Sequence, residues 1–122
     1  MAKILIIEDE PILRKRLVEE FNRVGFVVSE AKDGEEGLTL ALKEHPKVIL
    51  LDIILPKMHG LNVLKKIRED EWGKTASIIF LTNLSDGELV AKAMESEVYD
   101  FLIKKDWSLQ DIVNQVRKKL NE

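Results

Sequence analysis

Glu8, Asp9, Asp52, Thr82 and Lys104 are the residues whose types could together do chemistry. Asp52 closes the apolar run Val48-Ile49-Leu50-Leu51, and the chain then meets Pro56 and Gly60, the pattern of a buried strand that delivers one acid to a sheet edge. Three carboxylates brought together without histidine or cysteine suit a hard divalent cation; Mg2+ commonly takes one or two carboxylates, waters and phosphate oxygens. An aspartate can serve as the nucleophile of phosphoryl transfer and form an acyl phosphate, provided outside charges neutralise the transferring group. A lysine supplies such a charge, and a threonine hydroxyl a hydrogen bond to a phosphate oxygen. Taken singly, Asp9 reads as a helix N-cap ahead of Pro11, Lys104 as a solvated lysine and Thr82 as an ordinary strand-end residue. Asp52 resists that treatment, because an acid ending a buried strand costs desolvation unless it is partnered.

These residues act together only if the fold makes them converge. With 122 residues and 45% hydrophobic content, the chain fits a single domain able to bury a core without disulfide or structural metal. A net charge of −3 leaves no basic footprint for nucleic acid, so direct nucleic-acid binding is not expected. Zero cysteines exclude thiol chemistry, and two histidines, His45 and His59, are too few for a His-based zinc site. Met1-Ala2-Lys3 leads into an apolar stretch too short for a signal or spanning segment, so a cytoplasmic location without membrane contact is expected.

Lys3–Ile7 is continuously apolar and β-branched, a strand covered on both faces. Ile12, Leu13, Leu17, Val18, Phe21 and Val24 recur at helical spacing, and Gly25 stops that helix. Phe26–Ala31 reads as the second strand, Asp33-Gly34 as a turn, and Glu35–Lys43 as a helix ended by Pro46. After Val48–Asp52 and a loop to Gly60 comes a helix carrying Leu61, Val63, Leu64 and Ile67, with its exit at Trp72-Gly73-Lys74. Ser77–Thr82 is the fourth strand, and Ser85 with Glu88 opens a helix to about Glu95. Val98–Ile103 is the fifth strand. Ser108 with Asp111 then caps a last helix whose apolar face is Leu109, Ile112, Val113, Val116 and Leu120. Strands and helices in alternation argue for an α/β fold, an open parallel sheet with helices on both faces. Ligands of such sheets bind beyond the carboxyl ends of the strands, where Glu8, Asp9, Asp52, Thr82 and Lys104 all fall.

On those residues, with Leu55-Pro56, Met58, Gly60 and Phe101, the whole chain resembles the receiver domain of two-component response regulators, of the chemotaxis-receiver type. The resemblance implies a flavodoxin-like, doubly wound (βα)5 sheet of strand order 2-1-3-4-5, with residues 1–122 as one receiver domain. It implies Asp52 as phosphoacceptor; Asp9, Asp52 and the Ile54 backbone carbonyl as direct Mg2+ ligands, with Mn2+ as the alternative ion; and Glu8 reached through water. Thr82 becomes the switch hydroxyl, Phe101 the switch aromatic and Lys104 the phosphate-binding lysine. The implied donor is a phosphohistidine on a sensor histidine kinase or phosphotransfer protein. The implied output is a reshaped surface of fourth helix, fifth strand and fifth helix that controls a downstream protein. On this reading the protein is a signalling switch that assists only its own phosphorylation and dephosphorylation, not an enzyme. Gly87, in the first turn of the fourth helix, lowers helical stability by about 1 kcal/mol relative to alanine and suits an element that shifts. The chain ends at the close of its last helix, and a stand-alone receiver is expected.

Departures from the family pattern carry expectations of their own. Lys105 stands where proline is usual, and a cis bond before a non-proline residue costs about 2.5–4 kcal/mol, so a trans Lys104-Lys105 bond is expected. Asn83 replaces a small residue, and Ile54 and Leu84 are apolar where side chains flank the attacking water, which predicts a long-lived acyl phosphate. The rival reading is a pseudo-receiver, a protein-binding module that is never phosphorylated. A haloacid-dehalogenase-like phosphatase would need a second acid at position 54, and a flavin binder a less acidic first loop. His59 reads as a solvated loop residue, His45 as surface, Met58 as packing, and Trp72 and Trp107 as anchors at helix borders.

Overall fold

A computed structural model describes residues 2–82, 100–103 and 108–120. Five parallel strands, β1 (Lys3–Ile7), β2 (Val27–Ala31), β3 (Val48–Asp52), β4 (Ser77–Thr82) and β5 (Asp100–Ile103), form one sheet in the order β2-β1-β3-β4-β5. The described helices are α1 (Pro11–Arg23), α2 (Gly34–Glu44), α3 (Gly60–Glu69) and α4 (Leu109–Lys119), the last being the fifth helix of the sequence reading. Strand order reverses between β1 and β3, which opens a crevice at their carboxyl ends.

The continuous apolar runs follow from burial on both sides. Alternate residues of β1 and β3 feed two cores: Leu5, Ile7, Ile49 and Leu51 pack with Ala41 of α2 and Val63, Leu64 and Ile67 of α3. Ile4, Ile6, Val48 and Leu50 pack with Leu17 and Phe21 of α1 and Ile112, Val113 and Val116 of α4. No described helix is long and apolar enough to cross a membrane.

Several boundaries differ from the sequence reading. Phe26 lies outside β2, its ring edge-on to Phe21 with centroids 5.1 Å apart. Gly25, at φ 98°, fills the expected role after the C-cap of α1. α2 gains one residue at each end, and a 3-10 turn over Trp72–Thr75 occupies the expected exit from α3. Trp72 stacks on His45 at 4.5 Å, so His45 is exposed but anchored. The expected capping box of the last helix is present, Ser108 Oγ accepting from Asp111 N–H while Asp111 accepts from Ser108 N–H. The helix expected from Ser85 to Glu95, with Gly87, Asn83 and Leu84, lies outside the described residues, as do Lys104, the Lys104-Lys105 bond and Trp107.

Candidate functional site

Register and alternation bring Glu8 and Asp52 together. Ile6 pairs with Leu50 and Ile7 with Leu51, so the next residues along the two strands are Glu8 and Asp52. Both continue the alternation of Ile4, Ile6, Val48 and Leu50, the set that faces α1. Glu8 N–H donates to the Ala31 carbonyl at 3.0 Å and extends the ladder with β2 by one bond. Carboxylate oxygens of Glu8, Asp9 and Asp52 all lie within 4.8 Å of one another. Glu8 is fully buried, Asp52 7% exposed and Asp9 half-buried.

Asp9 is not the N-cap of α1. That position belongs to Glu10, whose side chain makes no capping bond, while Pro11 occupies the first turn. A capping aspartate must turn its carboxylate back onto the helix N-H groups; Asp9, one residue too early, offers its carboxylate to the acid cluster instead. The turn is held by other groups. Glu10 N–H donates to Glu8 Oε2 at 3.1 Å, and the Arg14 guanidinium donates to the Glu8 carbonyl at 2.8 Å and to Glu30 Oε1 at 3.1 Å.

The loop from Ile53 to His59 is held by close backbone approach. Gly60 N–H donates to the Ile53 carbonyl at 2.7 Å, and a Cβ on Gly60 would collide with the Asp52 carbonyl. Gly34 N–H donates to the Pro56 carbonyl at 3.2 Å, and a Cβ there would collide with the Met58 carbonyl. Met58 N–H also donates to the Pro56 carbonyl, at 2.7 Å, closing a three-residue turn around Lys57 at φ 66°. His59 is not a solvated loop residue: it caps α3, its Nδ1 accepting from Leu61 N–H at 3.2 Å. Met58 packs against the α2–α3 core as expected.

Of the remaining sequence candidates, Thr82 closes β4 one residue beyond the Asp52↔Leu81 pair and is level with Ile103 of β5; Phe101 lies in β5 opposite Phe80. Ile54, two residues past Asp52, is 53% exposed. Sequence reasoning missed Arg14, Gly34 and Asp33. The buried Asp33 caps α2, accepting from Glu36 N–H at 2.8 Å, and lies 3.8 Å from Lys57 Nζ. Its signal was present, since Asp33 with Glu36 has the spacing that marked Ser85 and Ser108.

The donor set fits a hard cation. All three groups are carboxylates, so every donor is oxygen, and three like charges in a mostly buried space are relieved by a divalent ion.

A doubly wound parallel sheet in the order β2-β1-β3-β4-β5 defines the flavodoxin-like class, and here an acid cluster lies at its switch point. Within that class residues 4–117 match the response regulator receiver domain, and the chain belongs to that family. It is 33% identical over 118 residues to the probable transcriptional regulator ycf27 of Porphyridium aerugineum, covering 97% of this chain and 48% of the relative. It is 31% identical over 120 residues to the DNA-binding dual master transcriptional regulator RpaA of Synechocystis sp., covering 98% and 49%. The chain thus spans about half the length of these curated relatives. Among solved structures it resembles the chemotaxis response regulator CheY4 of Vibrio cholerae, at TM-score 0.89 and 25% identity over 98% of both chains. A response regulator from Chloroflexus aurantiacus also reaches TM-score 0.89, at 27% identity over 99% of this chain and 98% of that one.

Proposed function

We propose that this receiver is a phosphorylation switch whose phosphoacceptor is Asp52. The observation that carries the reading is the approach of Glu8, Asp9 and Asp52 oxygens to within 4.8 Å at the carboxyl ends of β1 and β3. A carboxylate oxygen of Asp52 attacks phosphorus; a new O–P bond forms as the bond from phosphorus to the donor imidazole breaks, and that imidazole leaves with the electron pair. Asp9, Asp52 and the Ile54 carbonyl would hold a Mg2+, with Glu8 reaching it through water, and the ion would supply positive charge beside the transferring group. Lys104 supplies a second charge, and the Thr82 hydroxyl donates to a phosphoryl oxygen as Phe101 follows it inward. Phosphorylation adds nearly two negative charges and strong acceptors, and biases the protein toward the state that binds them better. The donor is a histidine kinase or phosphotransfer protein, the target another protein, and the compartment the cytoplasm.

Incubation with Mg2+ and a small phosphodonor adds one phosphoryl group by intact mass, and the adduct is absent in Asp52→Asn. No adduct with several donors makes the chain a pseudo-receiver that binds partners through its fold alone. The exposed aliphatic side chain of Ile54 cannot orient a water for hydrolysis, so the acyl phosphate is long-lived. A half-life of seconds in Mg2+ overturns that part of the proposal.

A further inference from the structure

Arg14 is a cation placed beside a site that has the chemistry of a cation-binding cluster. Its side chain is 19% exposed and lines, with Asp9, Pro11, Lys32, Asp33 and Pro56, a cavity of about 360 Å3. By charge alone a guanidinium there competes with a metal ion, so its usefulness must lie in geometry. The geometry is specific. Its Nη1 donates at 2.8 Å to the carbonyl of Glu8, which belongs to the peptide plane that joins Glu8 to Asp9. Its Nε donates at 3.1 Å to Glu30 Oε1, on the edge strand β2, next to Ala31, whose carbonyl receives Glu8 N–H at 3.0 Å. Both backbone groups of Glu8 are thereby tied to β2, one directly and one through Arg14. The guanidinium fork is rigid, and its bonds to charged or carbonyl oxygens are strong and directional.

We infer that Arg14 is a positioning residue that sets the ion selectivity of the acid cluster by fixing the peptide plane between Glu8 and Asp9. The inference rests on the proposal that this cluster holds Mg2+. Mg2+ demands near-ideal octahedral geometry at about 2.0–2.1 Å, whereas Ca2+ accepts irregular shells at about 2.3–2.6 Å. A loop freed to relax therefore costs Mg2+ affinity more than Ca2+ affinity. The charge of Arg14 acts on the two divalent ions alike, and it cancels in the ratio of their dissociation constants.

Calorimetric titration of the chain with MgCl2 and with CaCl2 tests this. Arg14→Met, which removes fork and charge, is expected to shift the Mg2+/Ca2+ preference roughly tenfold toward Ca2+, the size usual for groups that orient metal ligands. Arg14→Lys, which keeps the charge but loses the fork, shifts it in the same direction. Equal changes for both ions, or a lowered melting temperature in cation-free buffer with an unchanged ratio, overturn the inference. Should Arg14→Met fail to fold, Glu30→Ala removes the acceptor of Arg14 Nε and frees one end of the clamp; a selectivity ratio like that of the original chain then overturns it. An original chain that binds neither ion overturns the proposed Mg2+ site and this inference together, whereas binding with a ratio insensitive to Arg14 overturns the inference alone.

Discussion

The two edges of the sheet use charge in opposite ways. At the carboxyl edge three acids, Glu8, Asp9 and Asp52, come within 4.8 Å of one another. At the amino edge one acid, Glu44 at the end of α2, meets the Ser29 hydroxyl at 2.6 Å and the Lys3 ammonium at 3.2 Å. Glycine divides the same way. Gly25, before β2, serves its positive φ and would meet nothing within 4 Å if it carried a Cβ; Gly60, the first residue of α3, sits where a Cβ would collide with the Asp52 carbonyl. One edge pairs its acid with a hydroxyl and an ammonium, and the other gathers three carboxylates in a mostly buried space.

The comparison breaks first at Asp52. Asp52→Asn is expected to abolish the phosphoryl adduct completely and, in cation-free buffer, to raise the free energy of unfolding by about 1 kcal/mol by removing one of three like charges. Mg2+ should then raise the melting temperature of the original chain more than that of the variant. A variant less stable than the original chain in the absence of cations would show that the carboxyl edge is not charge-frustrated.

Gly60→Ala and Gly25→Ala put the second contrast side by side. Crowding rigid backbone at Gly60 is expected to cost about 3 kcal/mol and to reduce phosphorylation, since the displaced atoms belong to Asp52 and Ile53. At Gly25 the cost is backbone strain alone, about 1–2 kcal/mol, with the rate of adduct formation unchanged. Urea unfolding and intact-mass time courses measure both, and equal effects at the two positions erase the distinction.

Most of this arrangement was legible in the sequence, for a physical reason. Strands covered on both faces must be continuously apolar, so an acid such as Asp52 at the end of one is conspicuous, and parallel topology sends such ends to one edge. The residues that hold the loops were not legible. Arg14 looks like any polar residue on an amphipathic helix until the 2.8 Å bond to the Glu8 carbonyl is seen, and Gly34 looks like a turn glycine until Met58 is packed on it. Each depends on a partner from another element, Arg14 on Glu30 of β2 and Gly34 on Met58. Taken singly, Asp9 suggests a cap because an acid shortly before Pro11 has a local meaning, but Glu10 holds that position without supplying a capping bond and Asp9 joins the acid cluster.

His59→Ala tests whether the carboxyl edge depends on its cap as well as on its glycines. The bond from Leu61 N–H to His59 Nδ1 satisfies one helix-end donor. Its loss is expected to cost about 1 kcal/mol of stability by urea unfolding, with Asp52 still phosphorylated. Loss of the adduct without loss of stability would place His59 in the chemistry rather than in the cap.

The smallest effect is expected at the amino edge, and it tests the claim that charges there are paired for stability. The Ser29 hydroxyl, and after it the Lys3 ammonium, hold the Glu44 carboxyl below its ordinary value of 4.5. A carboxyl whose pKa is lower in the folded chain stabilises the fold at pH values above 4.5, and that contribution fades as pH falls through the folded value. Glu44→Gln should therefore cost about 0.5–1 kcal/mol at pH 7, the scale of a partly exposed ion pair with one added hydrogen bond. The difference between the two chains should shrink as the pH is lowered below 4.5 and vanish once Glu44 is protonated in the folded chain. Denaturant midpoints of both chains across that range decide the matter. A gap that stays constant with pH means that the Glu44 charge is not what stabilises this edge, and the contrast in charge between the two edges fails.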